Sequence, residues 1–291
     1  AAIKYDSPWE DQLCFYTTIL KDGETYRMYY RGLYGEQTCY AESPDGIQWT
    51  KPDLGLVEVN GSTANNIILV GARSFCPFID NRPGVPTSQR YKANIADRDS
   101  DDGGLYGYVS ADGVHWKKMD NKVLVGMNSV TDFDAQNVMF WSEVENCYVV
   151  YARHLEGGRR ATMRATSQDF LHWSPTTLMT YSDTQSTTPS AHLYTNQTQP
   201  YFRAPHVYVA MPGRIHFGRR ALSADQARFY ETELDPIAGG AGDVSDGVLL
   251  TTRAGSTRYD FTFKESFVRP GLGSENWTSR SNYPALGVVQ T

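Results

Sequence analysis

The sequence lacks the features that mark several common classes of protein. It contains no run of about 18 apolar residues, so no membrane-spanning segment is predicted. It has 27 Lys and Arg against 33 Asp and Glu, and the resulting net charge of −6 argues against a nucleic-acid partner, which requires a basic surface. Its His and Cys residues lack metal-ligand spacing, and no Gly-rich phosphate loop follows a predicted strand. We therefore expect neither a metal nor another cofactor.

Cysteine and targeting signals are also sparse. The four cysteines, Cys14, Cys39, Cys76 and Cys147, are widely separated and form no CxxC pair. Because they lie in or beside apolar, strand-like runs, buried free thiols are favoured over disulfides. The chain opens at Ala1 without Met or an apolar signal-peptide core. We expect that any targeting segment was removed or never included, and a secreted or periplasmic location is favoured.

Helical periodicity is absent, whereas the residues of strands and tight turns are abundant. Aromatic residues make up 13% of the chain, with 19 Tyr and 25 Gly, which favours many strands joined by tight turns. The segments 26–32 and 147–153 alternate as half-buried strands do, and 137–141 and 206–210 are shorter apolar runs. Only residues 223–228 suggest one helical turn. The sequence thus predicts an all-β fold.

Three seven-residue stretches share the pattern Ser-x-Asp-x-x-x-Trp, at residues 43–49, 110–116 and 167–173. The Asp can accept a bond from its own backbone two residues on, Gly in the next position tolerates a positive φ, and the Trp can anchor the following strand. These turns are therefore assigned a structural role. Their recurrence predicts a radial array of similar units.

Four repeat units can be drawn, at residues 1–60, 61–125, 126–185 and 186–261. Residues 262–291 make a fifth unit that is short for a four-stranded blade. Either an N-terminal strand completes this unit or the chain is trimmed, and the sequence leaves both open. We expect one five-bladed β-propeller domain over residues 1–291.

The segments that open the five units carry most of the candidate polar residues, since inner strands of a propeller converge on its axis. This layout resembles the five-bladed β-propeller glycosidases of the invertase/fructosidase and arabinanase/xylosidase families. The resemblance implies that Asp6 is the first-blade nucleophile or base, and that Asp134 supports the transition state. Phe133 and Ala135 replace the Arg and Pro that flank Asp134 in those families. The alternative is that each Asp only caps a turn before its strand.

The general acid is missing from the place where the resemblance expects it, because the chain has Arg203 there, and Arg cannot donate a proton near neutral pH. His206 and Glu265 are the candidate replacements, each with a structural or solvated alternative. Asp80 is a further funnel carboxylate, and Asn137 aligns with His206 and is expected to contact the substrate.

One arginine from each unit adjoins an inner segment: Arg31, Arg82, Arg153, Arg203 and Arg269. Their planar guanidinium groups match carboxylate or sulfate oxygens and would suit an anionic sugar, or they neutralise the funnel carboxylates. The leading hypothesis is a glycoside hydrolase that removes a terminal sugar in an axial funnel. A non-catalytic carbohydrate-binding propeller is the alternative, and a protein-interaction propeller is the least favoured of the three.

Overall fold

The computed structural model describes residues 2–10, 16–32, 37–72, 74–97, 103–129, 132–233, 242–278 and 281–290. Strands form nearly all of its regular structure: β1 Thr18–Asp22, β2 Thr25–Gly32, β3 Gln37–Ser43, β4 Ile67–Val70, β5 Cys76–Ile79, β6 Tyr91–Asp97, β7 Gly104–Ser110, β8 Lys117–Gly126, β9 Val138–Ser142, β10 Cys147–Glu156, β11 Arg159–Ser167, β12 Thr177–Leu178, β13 Thr180–Tyr181, β14 His192–Tyr194, β15 Gln199–Tyr201, β16 Ala204–Ala210, β17 Gly213–His216, β18 Val244–Gly247, β19 Leu250–Arg253 and β20 Arg258–Tyr259. The α-helix α1 spans Ala224–Glu233.

The strands form successive antiparallel sheets in chain order. The first three sheets, β1–β4, β5–β8 and β9–β12, each have four strands in sequential order. The fourth region consists of β14-β17-β18 and β15-β16-β19, and β20 pairs with β13 in parallel. Among the described residues, no helix is long and apolar enough to cross a membrane.

Adjacent sheets pack face to face and bury aromatic side chains between them. Tyr29 and Phe75 lie between the first and second sheets, and Phe78 and Tyr148 lie between the second and third. The third sheet meets the fourth region through a further cluster that includes Tyr208. Burial on both faces explains why several strands have long apolar runs instead of strict alternation.

The Ser-x-Asp turns have the structure that the sequence predicts. In each, the Asp carboxylate accepts two backbone N–H bonds, and the Trp indole donates to the residue three positions earlier, at 3.2, 3.0 and 2.9 Å. Gly46 and Gly113 have φ values of 71° and 78°, and Phe170 adopts the same conformation at 72°. All three turns follow the third strand of a sheet, so the repeat marks equivalent positions.

Amide side chains fill the space where the inner strands approach one another. Gln136 donates to the Thr18 hydroxyl at 2.7 Å and to the Tyr16 carbonyl at 3.1 Å. Gln197 donates to the Gln136 carbonyl oxygen at 2.8 Å and to the Pro284 carbonyl at 3.1 Å. We call Thr18, Gln136 and Gln197 the polar floor, because their side chains link the first residue of β1 to the segments that precede β9 and β15.

The structure differs from the sequence prediction in several places. β4 belongs to the first sheet, so the division after residue 60 is wrong. The prediction of a single helical turn at 223–228 is also wrong, because α1 continues to Glu233. Within 262–278 and 281–290 there is no sheet; isolated bridges join Val268 to Gly247 and Leu286 to Thr18.

The cysteine prediction can be assessed for three of the four residues. Cys76 and Cys147 are free and buried, as expected from the sequence, and Cys39 is buried as well, while Cys14 lies outside the described residues. Burial raises the pKa of the Cys76 thiol to about 12, so this group stays protonated. The buried cysteines therefore act as small apolar residues.

Candidate functional site

The starts of the inner strands gather at one end of the molecule, above the polar floor. The side chains there are Tyr16, Arg31, Asp134, Arg153 and Tyr194, and we call this group the mouth. Tyr16 precedes β1, Asp134 precedes β9, and Tyr194 ends β14. Arg31 and Arg153 come from β2 and β10, the second strands of their sheets. Residues far apart in sequence therefore meet here because equivalent strand ends converge.

Asp134 and Arg153 form the charged pair of the mouth. The Arg153 Nη1 lies 3.3 Å from the Asp134 carboxylate, and the Asp134 side chain is 50% exposed whereas that of Arg153 is 7% exposed. Because the arginine is buried and the carboxylate is half-open, Asp134 can contact a ligand while Arg153 holds it in place.

A buried asparagine shapes the backbone that carries Asp134. The Asn137 side-chain amide donates to the carbonyls of Phe133 and Ala135 at 3.0 and 2.9 Å. Its side-chain oxygen accepts the backbone N–H of Arg153 at 3.0 Å. Phe133 adopts a left-handed conformation with φ of 61°. Asn137 was expected to contact the substrate, but its side chain is buried and bonded to the backbone. It is a positioning residue.

Two tyrosines face each other across the mouth. The Tyr16 and Tyr194 hydroxyls are in hydrogen-bond contact, and the Arg31 guanidinium lies 5.6 Å from the Tyr16 ring. Burial, reinforced by Tyr194, raises the Tyr16 pKa well above its usual value, although Arg31 opposes the shift. Tyr16 is therefore a neutral hydroxyl at any physiological pH. Sequence reasoning missed both tyrosines because they belong to no repeated motif.

The partner that the structure gives Asp6 is a lysine, Lys51. The Asp6 carboxylate, 72% exposed, lies 3.1 Å from Lys51 Nζ. Lys51 follows Thr50, which pairs with Glu42 of β3, on the outer part of the first sheet. The hydrogen bond and charge of Lys51 lower the pKa of Asp6. This setting gives Asp6 a surface ion pair, and we do not include it in the candidate site.

Asp80 and Arg82 lie where β5 ends, whereas the mouth lies where the inner strands start. The Asp80 carboxylate is fully buried and accepts bonds from Lys92 and from the Tyr148 hydroxyl, the latter at 2.6 Å. The Arg82 guanidinium lies 5.6 Å from the Tyr148 ring. The predicted contact of Asp80 with the substrate stays a prediction, and its carboxylate is engaged by Lys92 and Tyr148 in this structure.

The remaining predicted residues are exposed and separate from the mouth. Arg203 lies in the turn between β15 and β16, with its guanidinium 5.4 Å from the exposed Phe202 ring. His206 is exposed on β16, and its carbonyl accepts the Ala254 N–H at 3.0 Å. Glu265 and Arg269 are exposed in the segment after β20. Of the eleven candidates, the structure thus brings Asp134, Arg31 and Arg153 together, with Asn137 beneath them.

A concave region lies beside β19 and β20. This open groove has a volume of about 740 Å³ and is lined by hydroxyl and charged groups that include Asp183, Asp260 and Lys264. Lys264 Nζ lies 3.2 Å from the buried Asp183 carboxylate. The Asp183 side chain is 2% exposed whereas that of Asp134 is 50% exposed, so the groove carboxylate is less open to a ligand and the mouth is the stronger candidate.

Within the described ranges, no group of three or more His, Cys, Asp or Glu side chains could hold a metal ion.

No protein-family model and no curated protein matches this sequence. Solved structures do match it. An N-acetylgalactosamine deacetylase from F. plautii, in complex with blood group B trisaccharide, has a TM-score of 0.57 at 13% identity, over 92% of this chain and 74% of that chain. A thermostable family-43 glycoside hydrolase has a TM-score of 0.52 at 12% identity, over 84% and 72%. A β-fructofuranosidase from Schwanniomyces occidentalis, complexed with fructosyl-erythritol, has a TM-score of 0.51 at 12% identity, over 84% and 45%.

The chain shares the fold of these three enzymes. The resemblance to the arabinanase/xylosidase and fructosidase families, drawn from the layout of the sequence, is thereby confirmed at the level of fold. One of the three structures is named as a deacetylase and two as glycosidases, so a shared fold does not fix the reaction. The assignment of an activity depends on the residues of the mouth.

Proposed function

We propose that the protein is a glycoside hydrolase that binds the terminal sugar of an oligosaccharide or polysaccharide in the mouth. The observation that carries this proposal is the half-open carboxylate of Asp134, held by buried Arg153 above the polar floor. A floor favours a chain end over a chain middle, because a sugar that enters from one side cannot pass through.

The proposed architecture is one five-bladed propeller over the whole chain. Residues 262–290 would occupy the fifth position, since Leu286 lies alongside β1 and Val268 lies beside β18. Gln197 supports this ring by bonding to Pro284 on one side and Gln136 on the other. In this arrangement, the mouth is the axial entrance.

Asp134 would stabilise the positive charge that develops on the sugar ring as the glycosidic bond breaks. Its carboxylate can approach the ring because half of its side chain is exposed. The neutral Tyr16 hydroxyl would orient the sugar by hydrogen bonding. The substrate hydroxyls would compete for the bond that Tyr16 and Tyr194 now share.

A carbohydrate-binding protein without hydrolytic activity is the second candidate. Glycoside hydrolysis ordinarily requires two carboxyl groups across the scissile bond. Among the described residues that we assign to the mouth, Asp134 is acidic and accounts for one of these two groups. The second candidate would use Asp134 to bind the sugar without cleaving it.

The two candidates are separated by testing binding and turnover on the same ligands. A glycan array would identify oligosaccharides that bind, and release of reducing sugar from those ligands would be measured for the wild type and for Asp134→Asn. Turnover that Asp134→Asn abolishes supports the hydrolase. Binding without turnover supports the second candidate. Release of acetate without cleavage would contradict both and indicate deacetylation.

A further inference from the structure

An arginine that was not predicted from the sequence lies next to the mouth. Arg160 is near the start of β11, and its guanidinium carbon lies 5.5 Å from the Tyr194 ring and 5.4 Å from the Phe217 ring. The guanidinium is therefore held by two aromatic rings. Contacts of this kind fix the position of a cation without neutralising its charge.

Arg160 differs from the paired arginines of the structure in having no acidic partner among the described residues. Arg153, Arg164 and Arg214 each pair with an aspartate or a glutamate. No described residue forms a hydrogen bond or an ion pair with the Arg160 guanidinium, and its buried Nε atom has no partner. A half-buried guanidinium with vacant donors is a suitable site for an external anion.

His192 provides a second vacant polar group at the same place. Its ring contacts Phe217 edge-on at 4.7 Å, and its buried Nδ1 has no hydrogen-bond partner. Burial, with the neighbouring charges of Arg160 and Arg159, lowers the pKa of His192. Arg159 itself is engaged, since it donates to the carbonyls of Pro189 and Ser190. At this place, Arg160 Nε and His192 Nδ1 are therefore two buried nitrogen atoms without a hydrogen-bond partner.

Phe217 adds an apolar surface that faces solvent. Its side chain is 53% exposed although it contacts both Arg160 and His192. An exposed ring beside a cationic group fits the chemistry of an acidic sugar, in which C–H groups of the pyranose ring stack on an aromatic face and an acid group projects from the edge.

We propose that Arg160 and His192 bind the carboxylate or sulfate of an acidic sugar whose ring stacks on Phe217. This inference rests on the proposed function and deepens it, because Tyr194 is shared between this subsite and the mouth. The planar guanidinium matches two acid oxygens, and the aromatic rings hold it ready before the ligand arrives. The protein would therefore select uronic-acid or sulfated sugars over their neutral counterparts.

The test compares acidic ligands with matched neutral ones by isothermal titration calorimetry. The probes are a galacturonic acid trimer with its methyl ester, and a sulfated galactose trimer with its unsulfated form. We expect one acidic probe to bind at least about tenfold more tightly than its neutral match, since a charge-assisted bond is lost in the latter. Which pair shows the preference distinguishes carboxylate from sulfate recognition.

Arg160→Gln should remove this preference and leave the affinity for the neutral probe unchanged. Arg203→Gln is the matched control, because Arg203 also lies against an exposed Phe ring but in the turn between β15 and β16, whereas Arg160 is on β11. It should bind both probes as the wild type does. If Arg160→Gln does not fold, His192→Gln provides the same comparison with a smaller expected loss.

Equal affinities for acidic and neutral probes in both pairs would overturn the inference, as would equal losses for both probes in Arg160→Gln. A different result would contradict the proposed function. If the protein prefers the acidic trimer but releases no reducing sugar, the acid-binding subsite is supported and the proposed hydrolase activity is wrong. If the protein hydrolyses oligosaccharides but binds the acidic and neutral members of both pairs equally, the hydrolase is supported and the acid-binding subsite is excluded.

Discussion

The hydroxyls of Tyr16 and Tyr194 are in hydrogen-bond contact although 178 positions separate the two residues. Each ring also lies beside an arginine, Arg31 for Tyr16 and Arg160 for Tyr194. The contact therefore joins the Asp134 side of the mouth to the proposed acid-binding side. It also ties the segment before β1 to the end of β14.

This contact predicts a measurable coupling between the two tyrosines. Tyr16→Phe and Tyr194→Phe should each lower the free energy of unfolding by about 1 kcal/mol, because each leaves a partly buried hydroxyl without its partner. The double variant should cost about as much as one single variant, since the same bond is lost. Urea denaturation of the four proteins measures the cycle. Strictly additive losses would show that the hydroxyls do not interact.

Asp134 and Asp6 provide a second prediction with a built-in control. Asp134→Asn should lower kcat by about a hundredfold or more, because a neutral amide cannot stabilise positive charge on the sugar. Asp6→Asn should leave kcat and the melting temperature nearly unchanged, since Asp6 is exposed beside Lys51. Steady-state kinetics on the substrate found by array screening decides the matter. A large loss of kcat in Asp6→Asn would reverse our choice of site.

Asn137 should affect catalysis through the position of Asp134. Asn137→Asp keeps the shape of the side chain but removes the N–H donors to the carbonyls of Phe133 and Ala135. We expect a loss of about 2–3 kcal/mol in the free energy of unfolding, since buried acceptors are left unpaired. The turn that carries Asp134 should shift, so kcat should fall with little change in KM.

Asn65 offers a matched control for this variant. It is also buried, and its amide donates to the Val57 carbonyl at 2.6 Å while its oxygen accepts the Ile67 N–H at 3.1 Å, in the first sheet. Asn65→Asp should cost similar stability and leave kcat unchanged. Equal reductions of kcat in both variants would indicate general loosening and not a positioning role for Asn137.

The turns of this fold are predictable from sequence because their chemistry is local. Ser43, Asp45 and Gly46 form their bonds within a few residues, so the spelling alone specifies the structure. The pattern also tolerates Phe170 at positive φ, where packing against Phe78 and Tyr148 compensates for the unfavourable backbone. Because the same turn recurs three times, the sequence also predicts a series of similar sheets.

The site was only partly predictable because it depends on contacts between distant residues. Asp6 precedes the first strand, which suggested a place near the axis. Glu10 in the same segment bonds to Tyr30 of β2 and to Lys51, and these contacts hold the segment against the first sheet. Arg160 follows the tight turn between β10 and β11 at Gly157 and Gly158, so it is not in a segment that opens an inner strand. The segment Gly-Gly-Arg-Arg was the sequence signal that could have pointed to it.

Asp22 predicts how stability depends on pH. At the end of β1, its carboxylate accepts bonds from Arg27 and Arg90 of the first and second sheets and from the Tyr91 hydroxyl. The Arg90 hydrogen bond is the main cause that lowers the Asp22 pKa from 3.8 to about 2.

A carboxyl group whose pKa is lower in the folded state stabilises the protein above its unfolded pKa, and this stabilisation disappears as the pH falls through the folded value. Asp22→Asn should therefore be less stable than the wild type at pH 7, and the difference should shrink between about pH 4 and pH 2. Thermal unfolding of both proteins across this range measures the difference. A gap that stays constant down to pH 2 would mean that the charge of Asp22 does not link the two sheets.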